Sequence, residues 1–494
     1  MKNSPPQAPE ESSEEVYSGH GITLHAMKDG TYVKTLASGE KITLTPAEDN
    51  PWYRLAERGK NTWNRWARTL LDEEQAKKYN IADLEPFSDE ELTQLEEKCG
   101  FEKNTLLPSD SRVRIDFSAC IFWFPVDFIG YVFLGYTAFT SSHFQGSAYF
   151  NSVHFHSIAD FTSVCFQDWI SFDSVHFHSN AHFASIHFHN YADFSAAIFH
   201  SNAHFTSTFF YTPATFTSAH FHSNAHFASV CFQDWIKFSS AIFHSYSDFT
   251  SAHFHGDADF SNTNWQDSSH FKNCEFHLPP QFHESTIRQD MFLDQAHFLT
   301  PVDAESEESI SCWRVLRLAM NQNHNHDMEL RFLQLEFDAK TKGHFTKAKQ
   351  LFSSLFPSKT ISSSSRHNFC QKIYLSLTHI FIGIGFLLYK YSSVYGQSIL
   401  RPLMCLGLAT AGFAELYDFF EPLHSIGNKI NYSLAFSNMV PFAPSGKLAT
   451  ASLSSVFATG ITWGLQLLTI GQTIVSTLFL FLIALGLRNR FRIK

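Results

Sequence analysis

The string "HSNAHF" occupies His178 to Phe183 and returns unchanged at His200 to Phe205 and His222 to Phe227, an interval of 22 each time. Around it phenylalanine keeps a schedule whose steps alternate five and six: Phe161, Phe166, Phe172, Phe177, Phe183, Phe188, Phe194, Phe199, Phe205, Phe210, Phe216, Phe221, Phe227, Phe232, Phe238, Phe243, Phe249 and Phe254. The run reaches back to Phe117 and forward to Phe298, with Trp265 taking one place and Ile287 and Leu293 two more as it fades. An 11-residue period can signal a right-handed coiled coil. A step of five, however, turns ~140° around an α-helix and leaves no common stripe. A flat strand fails as well, because a step of five changes face and a step of six keeps it. What remains is a chain that turns a corner every five or six residues and points one phenylalanine inward from each short side, a solenoid. Small or β-branched residues such as Val164, Val175, Ala181 and Ala203 stand two positions before the phenylalanines and form a second, tighter inward layer. The recurrence of the whole string, over two 11-residue units, selects four sides per coil. Seventeen 11-residue units then give about 8.5 coils and, at ~4.8 Å per coil, a rod of roughly 40 Å.

Composition sets the frame for this segment. The chain has 494 residues, too many for one core, and 53 of them are phenylalanine. A net charge of −11 argues against a general nucleic-acid binder. Eight cysteines occur without CxxC pairs, and the polar start lacks the apolar core of a secretory signal, so a reducing compartment is expected for most of the chain. The reading divides the chain into a polar, disordered N-terminal segment (1–49), a small helical cap (50–116), the solenoid (117–300), a helical cap and basic linker (301–372) and a membrane domain (373–494). "SDEE" at Ser88 to Glu91 is a capping box that starts a helix through Glu97.

Three apolar stretches suggest crossings at 373–391, 400–418 and 461–487, the last being long enough to span with tilt. Basic clusters precede the first and follow the last, so both ends favour the cytoplasmic side, which requires an even number of passes. A short pass or re-entrant segment at 430–446 would supply the missing one.

The units "ADFTSVCF" (Ala159 to Phe166) and "ADFSAAIF" (Ala192 to Phe199) resemble pentapeptide repeats, in which a central Leu or Phe follows a small residue two positions earlier. The resemblance implies a right-handed, four-sided β-helix. One extra residue in every second unit departs from the family pattern and makes each coil two residues longer than the family's four pentapeptides. The flanks "NPWYRLA" (Asn50 to Ala56), "KNTWNRW" (Lys60 to Trp66), "YGQSILRP" (Tyr395 to Pro402) and "LRNRFRIK" (Leu487 to Lys494) are similar to those of bacterial pentapeptide-repeat membrane proteins. This implies a multi-pass inner-membrane protein with a cytoplasmic β-helix, a mainly β solenoid joined to an α-helical transmembrane bundle. Partners implied are the lipid bilayer, an unidentified protein and a second copy of the chain.

Chemistry is sparse in this pattern. Of 28 histidines, 20 lie between residues 117 and 300, mostly beside an inward phenylalanine and so facing out. His182, His204 and His226 share one coil position and His178, His200 and His222 another. Either column could offer imidazoles to a transition metal, but a ladder on a flat face diverges where a metal needs converging ligands. The plainer reading, a solvated polar face with Asn180, Asn202 and Asn224 as an amide ladder, is preferred. Such a face could also sense acid. No catalytic triad, P-loop or GxGxxG stands out, so neither an enzyme nor a cofactor is expected. Cys165 and Cys231 fall three coils apart, too far for a disulfide. In the membrane block Glu415, Asp418, Gln466 and Gln472, together with His379, are the polar residues that could line a path or seal helix contacts. The leading expectation is a non-catalytic interaction rod anchored in the membrane. The alternative is an ion channel or transporter subunit. A third, gyrase engagement by DNA mimicry, rests on family analogy and on 14 Asp or Glu against three Lys or Arg across 117–298.

Overall fold

The computed structural model describes residues 14–19, 22–27, 31–36, 38–107, 113–287, 291–299, 307–353, 366–420, 435, 436, 439 and 463–490. Contacts divide the chain into two compact units, Met1–Ala304 and Glu305–Lys494.

In the first unit the chain winds through about 8 turns at ~22-residue spacing. Strands of two or three residues stack in parallel on four sides. One side pairs His143, Cys165, His187, Phe209 and Cys231 in turn, and another pairs Ala159, Ala181, Ala203 and Ala225. All eighteen scheduled phenylalanines from Phe161 to Phe254 are at most 1% exposed. The backbone ladder fixes the rise per coil, so rings one coil apart stack nearly parallel: Phe183 on Phe205 at 4.7 Å and 3°, Phe205 on Phe227 at 4.8 Å and 2°. Neighbouring columns meet edge to face, as Phe183 does with Phe194 at 5.4 Å and 88°. Stacking along the axis and T-shaped contact across it both suit the ring quadrupole.

The five- and six-residue steps are two kinds of corner. Each five-residue step holds a tight turn in which the third residue after a phenylalanine donates its N–H back to it, for example Ser142 to the Phe139 carbonyl at 3.0 Å. The residue before that donor is left-handed in unit after unit: Ser141, Ser152, Ser163, Ser174 and Ser185 have φ between 54° and 63°. Left-handed backbone is unfavourable for a non-glycine residue, by roughly 1–2 kcal/mol. Here the N–H groups of the left-handed residues themselves bond the next coil, Ser141 to the Thr162 carbonyl and Ser152 to that of Asp173, both at 2.9 Å. The six-residue steps lack this turn and absorb the extra residue.

Part of the segment expected to be disordered is ordered. β1 (Glu14–Gly19), β2 (Ile22–Ala26), β3 (Tyr32–Thr35) and β4 (Lys41–Pro46) form an antiparallel meander. β4 adds in parallel to the solenoid through Thr45 opposite Cys120 and Pro46 opposite Ile121. The stabilising partner is an open sheet edge, and Leu24 and Leu44 are buried against Ile121 there. Residues 1–13 lie outside the described residues. Next come α1 (Pro51–Ala56), α2 (Lys60–Thr69), α3 (Glu73–Lys78) and α4 (Asp89–Cys99), the last with the expected capping box at Ser88. Trp63 on α2 is fully buried, donates Nε1–H to the Val132 carbonyl at 2.9 Å and packs on Phe133.

The second unit contains α5 (Glu307–Gln322), α6 (His326–Ser353), α7 (Arg366–Ser393), α8 (Leu400–Phe420) and α9 (Trp463–Arg490). α5 and α6, in the stretch expected to be a helical cap and linker, belong to this compact unit. A buried carboxylate explains part of that: Glu336 on α6 takes Arg314 and Arg317 of α5 at 3.3 and 2.8 Å and Lys340 at 2.7 Å. α6 is tied on to the following chain by Asp338, which binds Lys390 at 2.8 Å and the Tyr395 hydroxyl at 2.6 Å. α7, α8 and α9 fall on the three expected crossings. Among the described residues only Leu467–Asn489 of α9 is both long and apolar enough to span a membrane. The fourth expected pass, 430–446, lies almost wholly outside the described residues.

Candidate functional site

Each scheduled phenylalanine is flanked by two outward residues, one before and one after. Along one side of the solenoid the position before runs His154, His176, Ile198, His220, Ile242, and the position after runs His156, His178, His200, His222, His244. Eight imidazoles therefore share one side. Successive rings stack at 4.6 Å for His154 on His176, 4.9 Å for His178 on His200, 5.3 Å for His200 on His222 and 4.6 Å for His222 on His244.

Two patches of this side bring ligand atoms together across the columns. His154, His176 and His178 place one ring nitrogen each within 4.8 Å of one another, and so do His220, His222 and His244. The first patch is partly buried and walled by Tyr79, just beyond α3, whose ring meets His154 at 5.3 Å and His178 at 5.5 Å edge to face. The Tyr79 hydroxyl bonds His156 Nδ1. A recess of about 330 Å³ beside it is lined by Tyr79, Asn80, Ile81, Gly130, Ser152 and His154. Burial first, then the neighbouring His176 and Lys78, pulls His154 down to about 4. Burial, then Lys78, pulls His178 down to about 3 and lowers His176. At neutral pH these rings are uncharged.

The column singled out from the sequence behaves differently. His182, His204 and His226 occupy equivalent coil positions and stack face to face at 4.9 and 4.8 Å, within 5° of parallel. Across Phe183, Phe205 and Phe227 the next outward column carries Ala184, Thr206 and Ala228, so it supplies no imidazole from the side. At the two ends this column meets Asp160 and Asp248. The asparagine ladder is present: Asn180 Oδ1 accepts from the Ser201 hydroxyl at 2.6 Å and the Asn202 N–H at 3.3 Å, and Asn202 repeats this with Ser223 and Asn224. It joins coil to coil. Cys165 and Cys231 are free and three coils apart.

In the helical unit Gln472 is buried, accepts the Tyr417 hydroxyl at 2.7 Å and donates Nε2–H to the Ala435 carbonyl at 2.7 Å. It seals α8 to α9. Glu415 is exposed on α8. Asp418 and Gln466 lie on α8 and α9, with side chains outside the described part. His379 on α7 bonds His344 of α6 at 2.9 Å.

The tandem histidine patches had a visible signal that a column-by-column reading passes over. "SVHFHS" occurs at Ser152 to Ser157 and again at Ser174 to Ser179, which doubles the His-Phe-His triplet in consecutive coils.

Comparison with known families supplies one match. Residues 238–277 fit the pentapeptide-repeat model of nine copies. That stretch of the solenoid carries pentapeptide repeats. No curated protein and no solved structure gave a significant match. The matched stretch lies within the coils described above, where Phe238, Phe243, Phe249, Phe254, Phe260, Phe271 and Phe276 fill the interior of the pentapeptide-repeat solenoid.

Proposed function

We propose that the chain is a non-catalytic pentapeptide-repeat scaffold held at a bacterial inner membrane by its C-terminal helices, with the solenoid in the cytoplasm as a rigid interaction rod. The observation that carries the reading is the outward face of α9. Leu467, Ile470, Ile474, Leu478 and Phe481 recur at helical spacing and are all more than half exposed, on the helix that is long and apolar enough to span. α7 displays a similar stripe of Tyr374, Leu377, Phe381, Leu388 and Tyr391. Large apolar faces of this kind need lipid or protein to cover them. The rod reading is supported by the continuous ladder of inter-coil bonds, which leaves a regular polar surface. A packed anchor is favoured over a conduit by Gln472, whose amide is used up between two helices' groups rather than facing a path.

Membrane fractionation tests the anchor. The whole chain is expected to stay in the pellet through alkaline carbonate, and replacing Ile470, Ile474, Leu478 and Phe481 together with Gln is expected to release it. A chain that washes off in salt would overturn the proposal. Protease treatment of spheroplasts should spare the solenoid, and cleavage there would move the rod to the other side. Ion flux through liposomes holding the purified protein would instead support a channel.

A further inference from the structure

The geometry points to a divalent transition-metal site formed by His154, His176 and His178, a three-imidazole centre under the ring of Tyr79. On one side of the solenoid, outward residues form a lattice. Its short edge is the coil rise, and its other edge is the two-residue step across an inward phenylalanine. At the crossing of these two coils all four lattice corners are histidine: His154, His156, His176 and His178. The Tyr79 hydroxyl engages the fourth, His156, through Nδ1. The other three turn ring nitrogens toward a common region, within 4.8 Å of one another. His154 Nδ1 and His178 Nε2 are 3.2 Å apart. Two nitrogens bound to one zinc at ~2.0–2.1 Å and a tetrahedral angle lie about 3.4 Å apart, so this pair already has ligand spacing. The three rings lie within 20° of parallel, so closing the site turns each ring until its lone pair faces the ion. In the unbound site a proton sits between His154 and His178, and on binding it moves to an outer ring nitrogen by tautomer exchange.

Three neutral imidazoles suit zinc, copper, nickel or iron better than calcium or magnesium, which prefer oxygen. The recess beside His154 leaves room for water or a partner's side chain as a fourth ligand. Lys78 adds a positive charge nearby, which weakens the site without removing a ligand. The single column of His182, His204 and His226 has no crossing of this kind, and the second crossing, at His220, His222 and His244, has Ile242 at its fourth corner and no tyrosine wall among its ring contacts.

The test uses the whole purified chain stripped with a chelator, titrated calorimetrically with Zn²⁺ alone, with Co²⁺ absorption as a second readout. The expected result is one tight ion per chain, a visible Co²⁺ band of tetrahedral type, and a Zn²⁺-dependent rise in melting temperature. His178→Ala and His176→Gln should each weaken binding at least as much as the roughly 10- to 100-fold that loss of a supporting residue costs at metal sites. His204→Ala should leave it unchanged. Both ligand variants are surface changes, and their metal-free melting curves report whether the solenoid is intact. Absence of stoichiometric binding, or binding untouched in an intact His178→Ala chain, overturns the assignment. So does binding lost in His222→Ala with the same chain otherwise intact, because that places the ion at the other crossing.

Discussion

The solenoid and the helical unit solve the same problem in opposite directions. In the solenoid the aromatic rings are inside and the histidines, asparagines and serines outside. In the helical unit Glu336 and Gln472 are buried while Leu408, at 71% exposed, and Phe481, at 63%, look outward. Water explains the first arrangement: burying each ring removes apolar surface, at roughly 25 cal/mol per Å². It does not explain the second. The apolar side chains that α8 and α9 display call for a cover of lipid or protein, which is what the proposed anchor supplies. The difference teaches that composition alone misleads here, since phenylalanine is abundant in both units and means opposite things in them.

The contrast can be broken most forcefully at Phe205. Phe205→Ala opens a void between Phe183 and Phe227 in an interior with no slack, and it is expected to cost about 3–5 kcal/mol, read by denaturant unfolding. A loss below about 1 kcal/mol would mean the columns relax independently of one another. Protonation tests the polar side. His143 is buried, with Lys34, Gln145 and Tyr17 around it, and burial first, then Lys34, pulls it down to about 4. An imidazole with a depressed folded pKa contributes stability that is fully present above about 6.5 and is lost as pH falls toward about 4. The loss is on the order of 2–3 kcal/mol. Melting curves at pH 7.5 and 4.5 should differ in that direction, and His143→Gln should reduce the difference by its own share, leaving the part that His154, His178 and His204 carry. In the helical unit the inverse change applies: Gln472→Leu makes the interior more apolar yet takes the Gln472 amide away from the Tyr417 hydroxyl and the Ala435 carbonyl, at about 1–3 kcal/mol. Thermal melting in detergent measures it. The smallest effect belongs to Phe209, a partly exposed ring on the outside of the solenoid, where Phe209→Ser should stay within about 0.5 kcal/mol.

The interior was legible because its signal is local and repeated: each phenylalanine announces a side, and the string around Phe183, Phe205 and Phe227 announces the coil. The meander was not. β1 to β4 are short and polar, and the edge that stabilises them, at Cys120 and Ile121, is separated from β4 by the whole of α1 to α4, so no nearby pattern betrays them. The histidine crossing was missed for a geometric reason. Reading down a column finds His182, His204 and His226, which stand in single file with no imidazole column beside them. The ligand set lies across two columns and becomes visible only when the two-residue step over Phe155 and Phe177 is combined with the coil rise. The corners were half legible, because serine recurs at Ser141, Ser152, Ser163 and most later corners, with Ala196 and Asn262 among the exceptions, yet nothing in the residue name says that their backbone is left-handed.

That tight corner recurs twice in every coil, whereas the outer chemistry recurs only once. The interior therefore has twice the symmetry of the surface. Removing one whole coil between equivalent positions would shorten the rod and leave every column in place. Removing half a coil would leave the phenylalanine and alanine layers matched, but beyond the cut the histidine side would emerge half a turn away, on the opposite side. The interior pattern stays in register after either change, and only the first preserves a rod with a front and a back.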